Sequence, residues 1–108
     1  MKPVIFVGSA LEELRSFPLS ARRRAGFQLD RLQRGFEPDD WKPMAGIGRG
    51  VAEIRVRDET GAFRVLYIAR LKEAVYVLHC FQKKTAKTPK SALELAWMRL
   101  REVGRNTS

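Results

Sequence analysis

Val51-Ala52-Glu53-Ile54-Arg55-Val56-Arg57, then Asp58-Glu59-Thr60-Gly61, Ala62 to Arg70, Leu71-Lys72-Glu73 and Ala74 to Phe81 form the stretch that decides the fold. Three runs rich in Val, Ile, Tyr and Phe alternate with short polar breaks, one of them closed by Gly61. Such runs are strands, and connections this short force neighbouring strands to run antiparallel. The core of the protein is therefore expected to be a three-stranded meander.

Working towards the N-terminus, residues 37–50 hold Pro38, Pro43, Gly46, Gly48 and Gly50 and read as one long loop, part of it packed down by Trp41 and Met44. Gly46-Ile47-Gly48-Arg49-Gly50 resembles a phosphate loop only loosely, because no Lys-Ser/Thr follows. Before it, Ala21, Ala25, Leu29, Leu32 and Phe36 recur at helical spacing, with Ser20 as a cap and Gly35 placed to end the helix. A shorter helix precedes this one. Ser9 and Glu12 have the spacing of a capping box, Leu11, Leu14 and Phe17 form its apolar side, and Pro18 stops it. Val4 to Val7 reads as a first strand. Towards the C-terminus, Thr88-Pro89 opens a last helix whose apolar face is Ala92, Leu93, Ala96, Trp97, Leu100 and Val103. Gly104 is expected to end it, and Arg105 to Ser108 to fray. The expected architecture is α+β in the order β-α-α-β-β-β-α, as one domain over residues 1–108. The helical hairpin and the last helix would cover one face of an antiparallel sheet and leave the other free for function.

The chain has 108 residues, 21 Lys+Arg, 12 Asp+Glu and a net charge of +9. That length leaves no room for a two-domain enzyme. Hydrophobic residues at 44% suit a packed core rather than a disordered basic tail. No apolar run is long enough to span a membrane, and the N-terminus lacks a signal-peptide pattern, so a soluble cytoplasmic protein is expected. One Cys and one His leave no metal site to expect and no cofactor to invoke. His79 and Cys80 are strand neighbours pointing to opposite faces, so they are no nucleophile–base pair. Cys80, Tyr67 and Tyr76 are read as core.

The excess charge attracts polyanions. Arg55 and Arg57 share one face of the first meander strand, and Arg64 and Arg70 share one face of the second. Lys83, Lys84, Lys87 and Lys90 follow the third. Arginine at alternate strand positions is also the ordinary wet face of a half-buried sheet, and a lone His79 between apolar neighbours is also an ordinary packing residue. From the charge pattern alone, a phosphate site and a solvated face both stand.

The segment Val77-Leu78-His79-Cys80-Phe81-Gln82-Lys83-Lys84-Thr85-Ala86-Lys87-Thr88-Pro89 resembles the LHGF-KK-KTP element of phage-derived Gp49-like toxins, HigB-like members of the RelE/ParE superfamily. Further matches are Phe17-Pro18 with Gly26, Gly35 and Pro38, and Met44 ahead of Gly50-Val51-Ala52-Glu53-Ile54-Arg55. Phe63 to Tyr67, and Ala92 with Ala96 to Arg99, complete them. Cys80 departs from the Gly usual there. The resemblance implies a RelE-like fold and a toxin of a type II toxin–antitoxin system. Such a toxin is a metal-independent endoribonuclease cleaving mRNA on the translating ribosome, neutralised by a small helix-turn-helix DNA-binding antitoxin. It assigns Arg64 and Arg55 to the phosphate and Lys83, or Lys84, to protonation of the leaving oxygen. His79 is a further proton-transfer candidate. Phe81 is a base-stacking candidate, and Arg22, Arg23, Arg24, Arg57, Lys87 and Lys90 are RNA contacts. Two other readings remain: a same-fold toxin that binds gyrase, as ParE does, and a non-catalytic RNA-binding module.

Overall fold

The structure is a computed structural model that describes residues 1–107, with side chains through residue 104. Its elements are β1 (Val4–Phe6), α1 (Ala10–Arg15), α2 (Leu19–Gln33), β2 (Trp41–Pro43), β3 (Val51–Asp58), β4 (Gly61–Ile68), β5 (Val75–Lys83) and α3 (Lys90–Thr107). The meander β3-β4-β5 is antiparallel, as expected. The sheet as a whole is not. It has five strands in the order β1-β5-β4-β3-β2. β1 lies parallel to β5, with Val4, Ile5 and Phe6 opposite Val75, Tyr76 and Val77. The sheet is therefore mixed, because the chain leaves β1 through the helical hairpin and reaches the opposite edge before the meander brings it back. β2 is a further strand inside the expected loop, with Lys42 opposite Glu53.

The helices do not share a face. Ala21, Ala25, Leu29 and Leu32 of α2 bury with Ala10 and Leu14 of α1 against Ala52, Ile54, Val56, Phe63, Val65, Tyr67, Val75, Val77 and Cys80. Ala96 and Val103 of α3 bury on the opposite side, with Ile47, Val51, Leu66, Ile68, Tyr76 and Leu78. Each strand is apolar on both faces along the middle of the sheet, so both faces need cover. The hairpin alone supplies only one. A register shift between Leu66 and Tyr67 pairs them with His79 and Val77, leaving Leu78 as the extra residue. This bulge turns Leu78 and His79 towards the α3 side together.

Several helix details differ from expectation. The Ser9 hydroxyl makes no cap hydrogen bond; it accepts one from Arg99 Nη2 at 2.8 Å. α2 begins one residue before Ser20, and the Ser20 hydroxyl bonds Asp58 instead. Gly35 does end α2, at φ +87°, with Phe36 N–H closing on Arg31 O at 2.9 Å. Phe36 lies past that end and is exposed, as is Trp97, whose ring sits 5.0 Å from the Arg101 guanidinium instead of in the core. Gly104 is not among the glycines with positive φ, so it continues α3 to Thr107 rather than ending it. The expected fraying at Ser108 lies outside the described residues. No helix among the described residues is long and apolar enough to cross a membrane.

Candidate nucleic-acid interface

The register places three rows of side chains across β3-β4-β5 on the α3 side. Arg57, Ala62 and Lys83 are opposite one another, then Arg55, Arg64 and Phe81, then Glu53, Leu66 and His79. α3 packs along β5 and reaches the third row, leaving the first two open. Arg55, Arg57, Arg64 and Lys83 thus converge on an open pocket of about 280 Å³, completed by Ala62, Thr85 and Ala86. Over the edge of β3 lies a second pocket of about 460 Å³ that shares Arg55, Arg57 and Arg64 and adds Arg24, Gln28, Asp39 and Asp40. The two form one cationic groove around the end of the β3-β4 hairpin.

Like charges directly opposite, as Arg55 and Arg64 are, repel. What offsets the repulsion is Glu53. Its carboxylate is wholly buried, with Oε1 3.4 Å from Arg64 Nε and 3.9 Å from Arg55 Nε. Arg64 is itself only 4% exposed and donates from Nη1 to Phe63 O at 3.0 Å. Burial pulls Arg64 below its ordinary value against the pull of Glu53, with Arg55 and Arg57 acting in the same sense as burial; guanidinium nonetheless keeps its proton. Lys83 is also lowered, first by partial desolvation and then by the Arg64 guanidinium. An ammonium lowered in this way gives up its proton more readily. The groove can therefore grip a phosphodiester, hold extra negative charge on its oxygens and offer a proton.

The other candidates fall elsewhere. Arg24 reaches the groove, donating from Nη1 to Arg57 O at 3.3 Å. Arg22 and Arg23 are exposed on α2. Lys84, Lys87 and Lys90 are exposed in and after the segment that borders the groove, and Lys90 lies 3.9 Å from Glu94. Arg70 is not beside Arg64. β4 ends at Ile68, and Arg70 lines a separate pocket of about 410 Å³ with Trp41, Gly50 and Tyr67. Phe81 is half-buried against the α3 core and stacks on His79, with centroids 5.0 Å apart.

His79 lies four residues along β5 from Lys83, about 13 Å at the rise of a strand. It belongs to a different polar cluster. Its Nδ1 meets Glu13 Oε1 at 2.8 Å, and the same oxygen accepts from Cys80 N–H at 3.1 Å. Arg99 donates to Glu13 Oε1 and Oε2 at 2.9 and 3.0 Å and to Leu78 O at 2.8 Å. Burial alone would raise the Glu13 carboxyl, but the hydrogen bonds from Arg99, His79 and Cys80 outweigh it and hold the group below its ordinary value. This cluster closes the stretch of β5 that runs past the end of β1.

Glu53, Glu13 and Arg99 were not singled out from the sequence. A signal existed for two of them. Glu53 is a lone acid in the middle of a strand, and Arg99 falls at the helical spacing of Ala92, Ala96 and Val103, in a stripe otherwise apolar. Glu13 carries no such mark. Comparison with curated proteins finds no relative that matches the chain. Residues 12–101 match the family model described as "Phage derived protein Gp49-like (DUF891)", and the chain belongs to that family.

Proposed function

We propose that this Gp49-like protein is a RelE-like toxin of a type II toxin–antitoxin system that cleaves mRNA on the translating ribosome without a metal. The observation that carries the reading is the convergence of Arg55, Arg57, Arg64 and Lys83 on one open end of the sheet. RNA can supply its own nucleophile. The 2′-oxygen bonds to the adjacent phosphorus and loses its proton to solvent water, while the bond from phosphorus to the 5′-oxygen breaks. Lys83 donates the proton that leaves this oxygen as a hydroxyl, and the other product is a 2′,3′-cyclic phosphate. Arg64 and Arg55 hold the charge that grows on the phosphorane oxygens. Arg57 and Arg24 hold flanking phosphates, and Arg22, Arg23, Lys84, Lys87 and Lys90 add sequence-independent attraction to ribosomal RNA. His79 takes no step in this scheme, and Phe81, half-buried, is left as a wall for a base. A helix-turn-helix antitoxin would neutralise the toxin by laying an acidic or helical segment across the groove.

The test is primer extension on transcripts after brief induction in cells, with and without translation, for the wild type and for Arg57→Ala, Arg64→Ala and Lys83→Ala. The reading expects discrete translation-dependent 5′ ends from the wild type, and relief of growth arrest in the variants while they remain folded. Cleavage by a folded Lys83→Ala and Arg64→Ala protein at the wild-type rate removes this site. Inhibition of supercoiling with no RNA cleavage reassigns the groove to a gyrase-binding toxin. Salt-sensitive RNA binding with no growth effect reassigns it to a plain binding module.

A further inference from the structure

We propose that Glu53 is a positioning residue for Arg64, one that sets the rate of turnover and not the affinity for RNA. The inference rests on the reading of the groove as an RNA-cleaving site. Glu53 is 0% exposed, beneath the part of the groove that Arg55, Arg57, Arg64 and Lys83 line. Its Oε1 and the Arg64 Nε are both buried, and neither makes a hydrogen bond, although they face each other at 3.4 Å. Its other oxygen takes a long contact of 3.4 Å from the Thr88 hydroxyl, in the segment bordering the groove. A buried ion pair with such imperfect hydrogen bonding adds little to stability over an apolar pair of the same volume. Its cross-strand neighbours are Leu66 on β4 and Lys42 on β2, so an apolar side chain at position 53 would pack against Leu66.

What the pair does fix is direction. Arg64 Nη1 spends one N–H on the Phe63 carbonyl and Nε is turned to Glu53, so the Nη2 hydrogens and the second Nη1 hydrogen are the donors left for a ligand. The side chain lines both halves of the groove. A guanidinium held in place before the reaction is worth most where charge grows, from the phosphodiester to the phosphorane. In the ground state the negative charge of Glu53 works against RNA, because it cancels part of the field of the groove. Removing that charge should therefore loosen the transition state while leaving RNA bound as well or better.

The experiment compares the wild type with Glu53→Gln, which keeps the shape and removes the charge. Turnover is measured on free RNA or on programmed ribosomes, whichever the wild type cleaves. Affinity is measured with the same RNA carrying a 2′-deoxy sugar at the cut. The expected result is a kcat at least tenfold lower, with Kd unchanged or tighter and a steeper dependence of binding on salt. In an Arg64→Ala background the same change should cost nothing further. Glu53→Asp, which keeps the charge but draws it back, is read in the same way should Glu53→Gln not fold; it should lower kcat at constant Kd. A kcat equal to that of the wild type overturns the proposal. So does a parallel fall in kcat, affinity and melting temperature, which is the mark of a structural role. If the wild type cleaves no RNA, the functional reading fails instead. Positioning is then decided by solvent exchange of the Arg64 Nε–H in ¹⁵N NMR. The proposal requires exchange to be slow in the wild type and fast in Glu53→Gln; equal rates refute it.

Discussion

Replacing Arg99 with Met should lower the melting temperature by about 12 °C at neutral pH, and by less in acid. Met keeps much of the apolar stem and removes the guanidinium. Four hydrogen bonds go with it, to Leu78 O, Ser9 Oγ and both oxygens of Glu13. The Leu78 carbonyl loses a partner, and the Glu13 carboxylate is left with His79 and Cys80 N–H. Taking one partner from a buried ion pair costs about 3–5 kcal/mol. The Arg99 side chain is 10% exposed and that of Glu13 is 21% exposed, so water still reaches the carboxylate and the lower end, about 3 kcal/mol, applies. At roughly 4 °C per kcal/mol for a domain of this size, the loss is about 12 °C. The pH dependence follows from Glu13, which folding holds below its ordinary carboxyl value of 4.5. A carboxyl lowered by folding adds stability that is fully present above that ordinary value and disappears as pH falls through the folded one. Thermal melts of both proteins at pH 7 and pH 3 provide the assay. The gap should narrow in acid, because the part of the pair's contribution that depends on the Glu13 charge disappears as that group takes up a proton. A gap of about 4 °C or less at pH 7, or one equal at both pH values, refutes the argument.

Three further outcomes are expected. Lys83→Ala should slow cleavage by about 10²–10⁴-fold. Because Lys83 must hold its proton to act and is lowered by desolvation and by Arg64, the wild-type pH–rate profile should fall on its alkaline side below the ordinary lysine range. Lys83→Arg should push that limb upward. Gly50→Ala should cost about 1–2 kcal/mol, read as a lower urea midpoint at constant slope, because Gly50 sits at φ +83° with Arg70 Cδ 2.3 Å from where a Cβ would lie. Cys80 is 3% exposed and burial pushes its thiol far above the ordinary range. A thiol reagent should therefore modify it only through unfolding, at a rate far below that of an exposed thiol and rising with denaturant.

Strand parity makes the cationic face legible in the sequence. Arg55 and Arg57 alternate on one strand, Arg64 falls on the next, and short turns fix which face they share. Phe81 and Lys83 keep that parity because the bulge at Leu78 lies upstream of both. His79 shares that parity as well; what the sequence does not show is the bulge itself, which turns Leu78 to the same side, since an extra residue is invisible in a run of Val, Leu and Cys. The layering was misjudged for a related reason. Strands buried on both faces read as continuous apolar runs, and Val75 to Leu78 carries no alternation to show that α3 must cover the second face. β2 was hidden because Trp41-Lys42-Pro43 has too few residues to show a period, and its partner Ala52 to Ile54 lies beyond a glycine-rich segment. Glu13 carries no mark in the sequence, because its role depends on α1 meeting β5 at His79 and Cys80, 66 and 67 residues away.

The two outermost strands, β1 and β2, are three residues each, and this has a consequence for how such a chain behaves in company. An open sheet margin is a template on which another copy can build. Here one margin ends on Pro43, which has no N–H to offer. At the other, β5 outruns β1, and its Cys80 N–H is already taken by Glu13. A further strand would meet an edge of only three residues on β1 or on β2. Short margins, one of them ending on a proline, work against self-association by strand addition while the cationic groove stays open.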